Sequence, residues 1–231
     1  MTAPTFDLQC HSTCSDGALE PADVVAAAAT AGVKLLALTD HDTVDGVDEA
    51  LAAAREHEIE LVTAVELSTV DDLGEDFHVL GYGIDHHDAA LAECLTRWRA
   101  DRAARIERMA VLLCDLGLEP DRAELDARLK AGRPLGRPHL AAAAVLAHGE
   151  RLEAAGLAEP SAFLEAYLVP GCPAYCRRET PTVPEAIDAI HAASGVAVWA
   201  HPFFDLWQPS EVREALTRFK EAGLDLSLIH I

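Results

Sequence analysis

Basic residues are scarce where this sequence begins. Positions 1–96 hold 20 acidic side chains against only Lys34 and Arg55, and the whole chain of 231 residues carries a formal net charge of −21. So acidic a chain argues against salt-driven nucleic-acid binding, and no stable DNA binding is expected. No apolar run approaches the roughly 20 residues of a membrane span, which excludes a membrane-spanning helix. Met1-Thr2-Ala3-Pro4-Thr5 lacks the basic-then-apolar order of an export signal. A soluble, cytoplasmic protein is the expectation. Cysteine pairs are missing too: Cys10, Cys14, Cys94, Cys114, Cys172 and Cys176 include no Cys-x-x-Cys. That argues against a structural zinc site and for reduced thiols, several of them buried.

The charge is unevenly spread. Residues 97–178 hold 13 basic against 11 acidic side chains, and residues 179–231 hold 3 against 8. An acidic part suits the collection of cations, and an Arg-bearing part suits the holding of an anion.

Hydrophobic patterning divides the chain along similar lines. Leu8 to Cys10, Leu35 to Thr39 and Leu61 to Val65 read as strands, separated by Ala-rich helices over Pro21 to Ala31 and Asp45 to His57. This β-α-β-α-β order predicts parallel strands with crossover helices. Asp71 to Asp76 reads as an acidic loop, followed by a strand over Phe77 to Tyr82. From Ala89 the period becomes helical. Leu91, Leu95, Trp98, Ile106, Met109, Leu112 and Leu113 form the apolar set, and the interleaved Arg97, Arg99, Arg102, Arg105 and Arg108 read as a solvated helix face. Gly117 and Pro120 break that run, and shorter helices are expected over Asp121 to Lys130, Pro138 to His148 and Ser161 to Tyr167. A helix over Val183 to Ala193 then precedes a strand over Val196 to Ala200. The expected division is residues 1–88 as the first part of an α/β domain, 89–170 as an all-helical insertion and 171–225 as the second part.

Metal-type residues recur where apolar runs end. On a strand Gln9 and His11 share one face, and the Ser15-Asp16-Gly17 turn can fold a carboxylate back over the same end. Leu35 to Thr39 runs into Asp40-His41-Asp42, Leu61 to Val65 runs into Glu66, Phe77 to Tyr82 carries His78, and Val196 to Ala200 delivers His201. Repetition at strand ends points to a metal centre. The His, Asp and Glu set suits Mn, Fe, Zn or Mg rather than a soft-metal cluster. Cations paired by a carboxylate such as Glu66 activate water and stabilise charge on a phosphoryl group, so metal-assisted phosphoester hydrolysis is the reaction class expected. Asp40 and Asp42 flank His41, and either could orient it. His57, His86, His87, His148 and His191 read as surface or packing residues.

Six motifs carry a family resemblance. Asp-Leu-x-x-His-Ser-x-x-Ser-Asp-Gly at 7–17, Ala-Leu-Thr-Asp-His-Asp-Thr at 37–43, Val-Glu-Leu-Ser at 65–68, His-Val-Leu-Gly-Tyr at 78–82, Gly-Arg-Pro-His at 136–139 and Ala-His-Pro at 200–202 together resemble the polymerase and histidinol phosphatase (PHP) family. The chain looks most like the branch that removes the 3'-phosphate of nucleoside 3',5'-bisphosphates and trims short RNA from its 5' end. The resemblance implies a distorted, TIM-like (β/α)7 barrel with a helical insertion, holding two or three divalent metal ions, Mn foremost. By matching motif it places His11 and Glu66 on a first metal, Glu66 with His78 and His201 on a second, and Asp16 with His41 on a third. His11, Glu66 and His41 take the catalytic roles. Gln9 stands where the family usually has His, and its carbonyl oxygen is a weaker ligand for Zn or Mn. Arg137 and His139 fall where this branch contacts substrate phosphate, while the same residues also fit a helix N-terminus built around Pro138. The expected partner is thus a nucleotide or a short RNA. Two other readings stay open: a phosphatase for another small phosphomonoester such as histidinol phosphate, and a non-catalytic metal-binding or RNA-associated protein.

The family's later Ser-Asp-x-His motif is absent, and about 150 residues outside the insertion are few for such a barrel. The last six residues, Leu226-Ser227-Leu228-Ile229-His230-Ile231, match a translated sequencing adapter. The expectation is a barrel lacking its C-terminal strands, native to about Asp225, with 226–231 an artefact and His230 no ligand. Resequencing the locus tests this, and a native stop codon after Ile231 would overturn it.

Overall fold

The computed structural model describes residues 5–227. In chain order the elements are β1 (Phe6–Cys10), α1 (Pro21–Ala31), β2 (Leu35–Leu38), α2 (Val47–Glu56), β3 (Glu60–Asp71), β4 (Gly74–Tyr82), α3 (Ala89–Asp115), α4 (Arg122–Lys130), α5 (Arg137–Glu153), α6 (Pro160–Tyr167), α7 (Val183–Ala192), β5 (Val196–Trp199), α8 (Pro202–Asp205), α9 (Pro209–Glu221) and β6 (Leu226–Ser227). They fall into two compact units, residues 1–98 with 179–231, and residues 99–178.

The first unit is α/β. Its six strands lie in one sheet in the order β1 to β6, curled as a half-barrel. β1, β2 and β3 run parallel, as the β-α-β-α-β reading requires, and β5 and β6 are parallel too. β4 departs from the parallel expectation: it is antiparallel to both β3 and β5. The cause lies between Asp71 and Gly74. What reads as an acidic loop is a tight hairpin, which can join only antiparallel neighbours. β3 therefore runs on well past Val65, and Glu66 lies inside a long strand rather than at its end.

Strand alternation sorts the side chains of this sheet. Val65, Leu67, Phe77, Val79 and Trp199 pack with Ile187 and Ile190 of α7 and Phe219 of α9 in one fully buried cluster. Trp199 and Phe77 each meet the Phe219 ring edge to face, with centroids 5.0 and 5.5 Å away. Each such ring contributes about 1.5–3 kcal/mol by burial. The intervening residues, Glu66 on β3 and His78 and Leu80 on β4, belong to the opposite face, where Leu80, Val198 and Ala200 make a small cluster of their own. A third cluster, with Val25, Leu36, Leu38, Ala50 and Ala54, seats α1 and α2 on β1 and β2. Leu91, Leu95 and Trp98 from the start of α3 also belong to the first unit's core.

The second unit is helical. Ile106, Met109, Leu113, Leu125, Leu140 and Phe163 are buried together at its centre. Asp121 caps α4, accepting the Ala123 N–H at 2.8 Å. α5 continues to Glu153 through a kink at His148, where the sequence suggested an end. The solvated-face reading fails for Arg102 and Arg105. Arg102 Nε donates to the Leu135 carbonyl at 3.0 Å; buried Arg105 donates to the Cys176 carbonyl at 2.7 Å and lies over the Tyr175 ring. Their guanidinium groups satisfy loop carbonyls that would otherwise be buried without donors.

Residues 226 and 227 pair with β5 as β6. His230, with the rest of 228–231, lies outside the described residues.

Candidate metal centre

Glu66 is the hub. Its side chain is buried, yet five side-chain nitrogens from four segments surround its two oxygens. Gln9 Nε2 donates to Oε2 at 2.9 Å, with His11 Nε2 3.4 Å from the same oxygen. On the other side, His78 Nδ1 lies 2.6 Å, His201 Nε2 3.6 Å and His41 Nδ1 4.0 Å from Oε1. Burial alone would raise the carboxyl's pKa. The bonds to His201 and His78 and the nearby His41 outweigh it, and Glu66 is held well below the usual carboxylate range. It is an anion in this site.

The backbone explains how distant residues meet. Parallel pairing of β3 with β2 ends at Thr63, and a single bridge then joins His41 to Glu66. That bridge sets the His41 ring beside the carboxylate, where it stacks on His11 with centroids 4.6 Å apart. Asp16 lies on the outer side of the pair, 3.8 Å from His11 Nδ1 and 3.7 Å from His41 Nε2. His201 follows β5 in a left-handed conformation, φ 33° and ψ 58°. A non-glycine residue rarely adopts this, and here it turns the chain so that His201 Nε2 comes within 3.2 Å of His78 Nδ1.

The loop bearing His11 and Asp16 is locked from below by Asp40. Its buried carboxylate accepts the Ser12 N–H at 2.7 Å and the Ser12 and Ser15 hydroxyls, each at 2.6 Å. Asp42 accepts the Ser68 N–H at 3.0 Å and so fixes β3. Through these bonds the Asp pair holds the segments that flank His41. Ser12 and Ser15 stand in the 7–17 motif, between His11 and Asp16, but the sequence assigns them no role in holding the loop. Gly17 is required by close approach: a Cβ there would lie 2.2 Å from the His11 carbonyl oxygen.

The donor set fits divalent cations. Bonds of about 2.0–2.2 Å in a tetrahedral site put neighbouring ligand atoms about 3.3–3.6 Å apart. The His78–His201, His11–Glu66, His201–Glu66 and Asp16–His41 separations all fall near that range. His11, Asp16 and His41 form one group able to hold an ion, and His41, Glu66 and His78 another. In addition, His11 Nδ1 and His201 Nδ1 are buried without a hydrogen-bond partner among the described residues. Two neighbours are poor candidates for chemistry. The Cys10 thiol is pushed up to about 12 by burial and by Asp7 and Asp40, so it stays protonated. The Tyr82 phenol is raised as well, chiefly by burial and then by Glu66, and it donates to the Leu8 carbonyl at 2.7 Å.

Arg137 and His139 belong to the second unit. Both sit in the first turn of α5, where His139 Nδ1 accepts the Gly136 N–H at 3.1 Å and Arg137 Nη1 donates to the Leu168 carbonyl at 3.4 Å. The helix N-terminus around Pro138 is therefore present. Among the histidines read as surface or packing residues, His86 and His87 gather around Asp48, at 3.0 and 3.5 Å.

A family model for the PHP domain matches residues 7–116. The chain is similar to a 5'-3' exoribonuclease of Haemophilus influenzae, 35% identical over 220 residues, covering 95% of this chain and 77% of the relative. It is also similar to a 3',5'-nucleoside bisphosphate phosphatase of Chromobacterium violaceum, 34% identical over 206 residues, covering 85% of this chain and 66% of the relative. Among solved structures, an amidohydrolase from Chromobacterium violaceum with bound sulfate and no metal superposes with a TM-score of 0.82 at 30% identity, covering 97% of this chain and 76% of that one. A protein assigned as a metal-dependent phosphoesterase from Bifidobacterium adolescentis gives 0.78 at 27%, covering 96% and 76%.

Proposed function

The chain belongs to the PHP domain family, and we propose that within this family of metal-dependent phosphoesterases it hydrolyses the 3'-phosphate of nucleoside 3',5'-bisphosphates, short RNA 5' ends, or both. One observation carries the reading: an anionic, buried Glu66 with His11, His41, His78 and His201 turned to its two oxygens. The two relatives named for a bisphosphate phosphatase and an exoribonuclease support the substrate class.

In this reading His11 and Glu66, with the carbonyl oxygen of Gln9, would hold a first divalent cation. Glu66, His78 and His201 would hold a second, and Asp16 with His41 a third, with Mn the first candidate and Zn, Fe or Mg the others. Bound cations supply Lewis acidity, lowering the pKa of water and offsetting charge on the phosphoryl oxygens. The chain's own residues supply placement. Glu66 reaches both sides of the cluster through its two oxygens, and Asp40 fixes the loop that presents His11 and Asp16. The Arg137 guanidinium suits two oxygens of one substrate phosphate, and His139 adds a ring nitrogen beside it.

Phosphate release from adenosine 3',5'-bisphosphate with added Mn tests the reading, beside histidinol phosphate and a 5'-phosphorylated oligoribonucleotide. Release of the nucleotide's 3'-phosphate, lost in Glu66→Gln, is the expected result. Release from histidinol phosphate alone would overturn the substrate class, and metal binding without release from any substrate would overturn the enzyme.

A further inference from the structure

Phe6, Phe203, Phe204 and Trp207 are the exposed Phe, Tyr or Trp side chains among the described residues, and three of them stand within six positions after His201: Phe203 at 44%, Phe204 at 75% and Trp207 at 83% exposure. Large apolar side chains gathered on a surface mark a place where something binds. Phe204 is fixed rather than loose. The left-handed turn at His201 lets the Phe204 N–H donate to the His201 carbonyl at 2.8 Å, and the Phe204 ring meets the His201 imidazole edge to face at 5.4 Å. The Phe204 ring thus touches a residue of the metal centre while most of its surface remains open.

We propose that Phe204 is a stacking platform for the base of a nucleotide whose phosphate lies at the metal centre. The proposal rests on the phosphoesterase reading and narrows its substrates to those bearing a nucleobase. Charge makes such a contact useful. A chain of net charge −21 repels a nucleotide's phosphates everywhere except at bound cations and local Arg groups. Stacking on an aromatic face adds affinity without regard to charge and accepts any base. The base contact should therefore keep its strength as salt rises, unlike a phosphate contact.

Calorimetric titration with AMP and with ribose 5-phosphate, both in Mn, isolates the base. AMP should bind about ten-fold tighter or more, at low and at high salt. Phe204→Ala should bring AMP down to the level of ribose 5-phosphate, and Phe204→Tyr should retain the difference. Because the ring is largely exposed, its removal opens no core, and circular dichroism of both variants checks their fold. Equal binding of the two ligands, no binding of AMP, or an unchanged AMP affinity in Phe204→Ala would overturn the platform. So would concentration-dependent dimerisation abolished by Trp207→Ala without any AMP preference, which would assign the rings to a second copy of the chain. Selective AMP binding without phosphate release from any substrate would instead overturn the hydrolytic reading and leave the platform standing.

Discussion

Asp40 grips Ser12 twice, its Oδ1 accepting the backbone N–H at 2.7 Å and its Oδ2 the hydroxyl at 2.6 Å. With Ser15 also bound, at 2.6 Å, one buried carboxylate fixes the loop that carries His11 and Asp16. Asp40→Ala leaves these donors buried without an acceptor, and each bond to a charged group is worth about 1.5–3 kcal/mol. A loss of about 3 kcal/mol in urea unfolding is expected, with weakened Mn binding. An equally stable variant would show that the loop holds itself.

Gly17 tests the same loop from its other end. A methyl group at this position would meet the His11 carbonyl oxygen at 2.2 Å, and that atom is backbone, which cannot swing aside. Gly17→Ala should cost about 2–3 kcal/mol and reduce metal binding together with stability. A variant that loses stability but keeps full Mn affinity would place the adjustment elsewhere than at His11.

How much of this could be read in advance depended on the kind of signal. His11, His41, Glu66, His78 and His201 were legible because each sits beside an apolar run and inside a short motif, and the structure brings all five together. The direction of β4 was not, because Asp71-Asp72-Leu73-Gly74 reads equally as a loop or a hairpin until pairing partners are known. Arg102 and Arg105 were misread because helical periodicity reports which face a residue occupies, not which loop carbonyl comes to meet it. α9 was overlooked although Val212, Ala215 and Phe219 recur at helical spacing and are buried. Gln9 illustrates a different limit: its Nε2 donates to Glu66 here, whereas only its carbonyl oxygen can serve a cation, and the sequence does not say which way the amide turns.

Asp225 gives a pH dependence outside the metal centre. Its Oδ2 is 2.9 Å from His191 Nε2 and accepts the Ala197 N–H at 2.9 Å, tying the segment before β6 to α7 and β5. The His191 bond first, and then the Ala197 N–H, hold its pKa below the ordinary 3.8. A depressed carboxyl contributes stability that is fully present above the unfolded value and is lost as pH falls through the folded one. Wild type should therefore exceed Asp225→Asn in stability above pH 4, with the gap closing as pH falls below about 3.8. Urea midpoints across that range check it, and a gap independent of pH would mean that the carboxylate's charge contributes nothing.

Metal removal reaches the hub itself. Without cations, Glu66 is compensated only by Gln9 and the surrounding imidazoles; with them, folded protein gains whatever free energy the ions bind with, since an unfolded chain has no assembled site. Mn at one hundred times its dissociation constant adds about 2.7 kcal/mol, so chelation by EDTA should lower the melting temperature and Mn should restore it. Glu66→Gln keeps the shape but removes the anion that two of the three proposed cation sites share, and its melting temperature should respond to Mn by well under the wild-type margin. Gln9→His makes the opposite change, exchanging a weak carbonyl ligand for an imidazole, and should raise affinity for Zn more than for Mg. If Glu66→Gln still melts higher with Mn by the wild-type margin, the stabilising cation sits elsewhere. The exposed cluster of Asp48, His86 and His87 would then be the place to look.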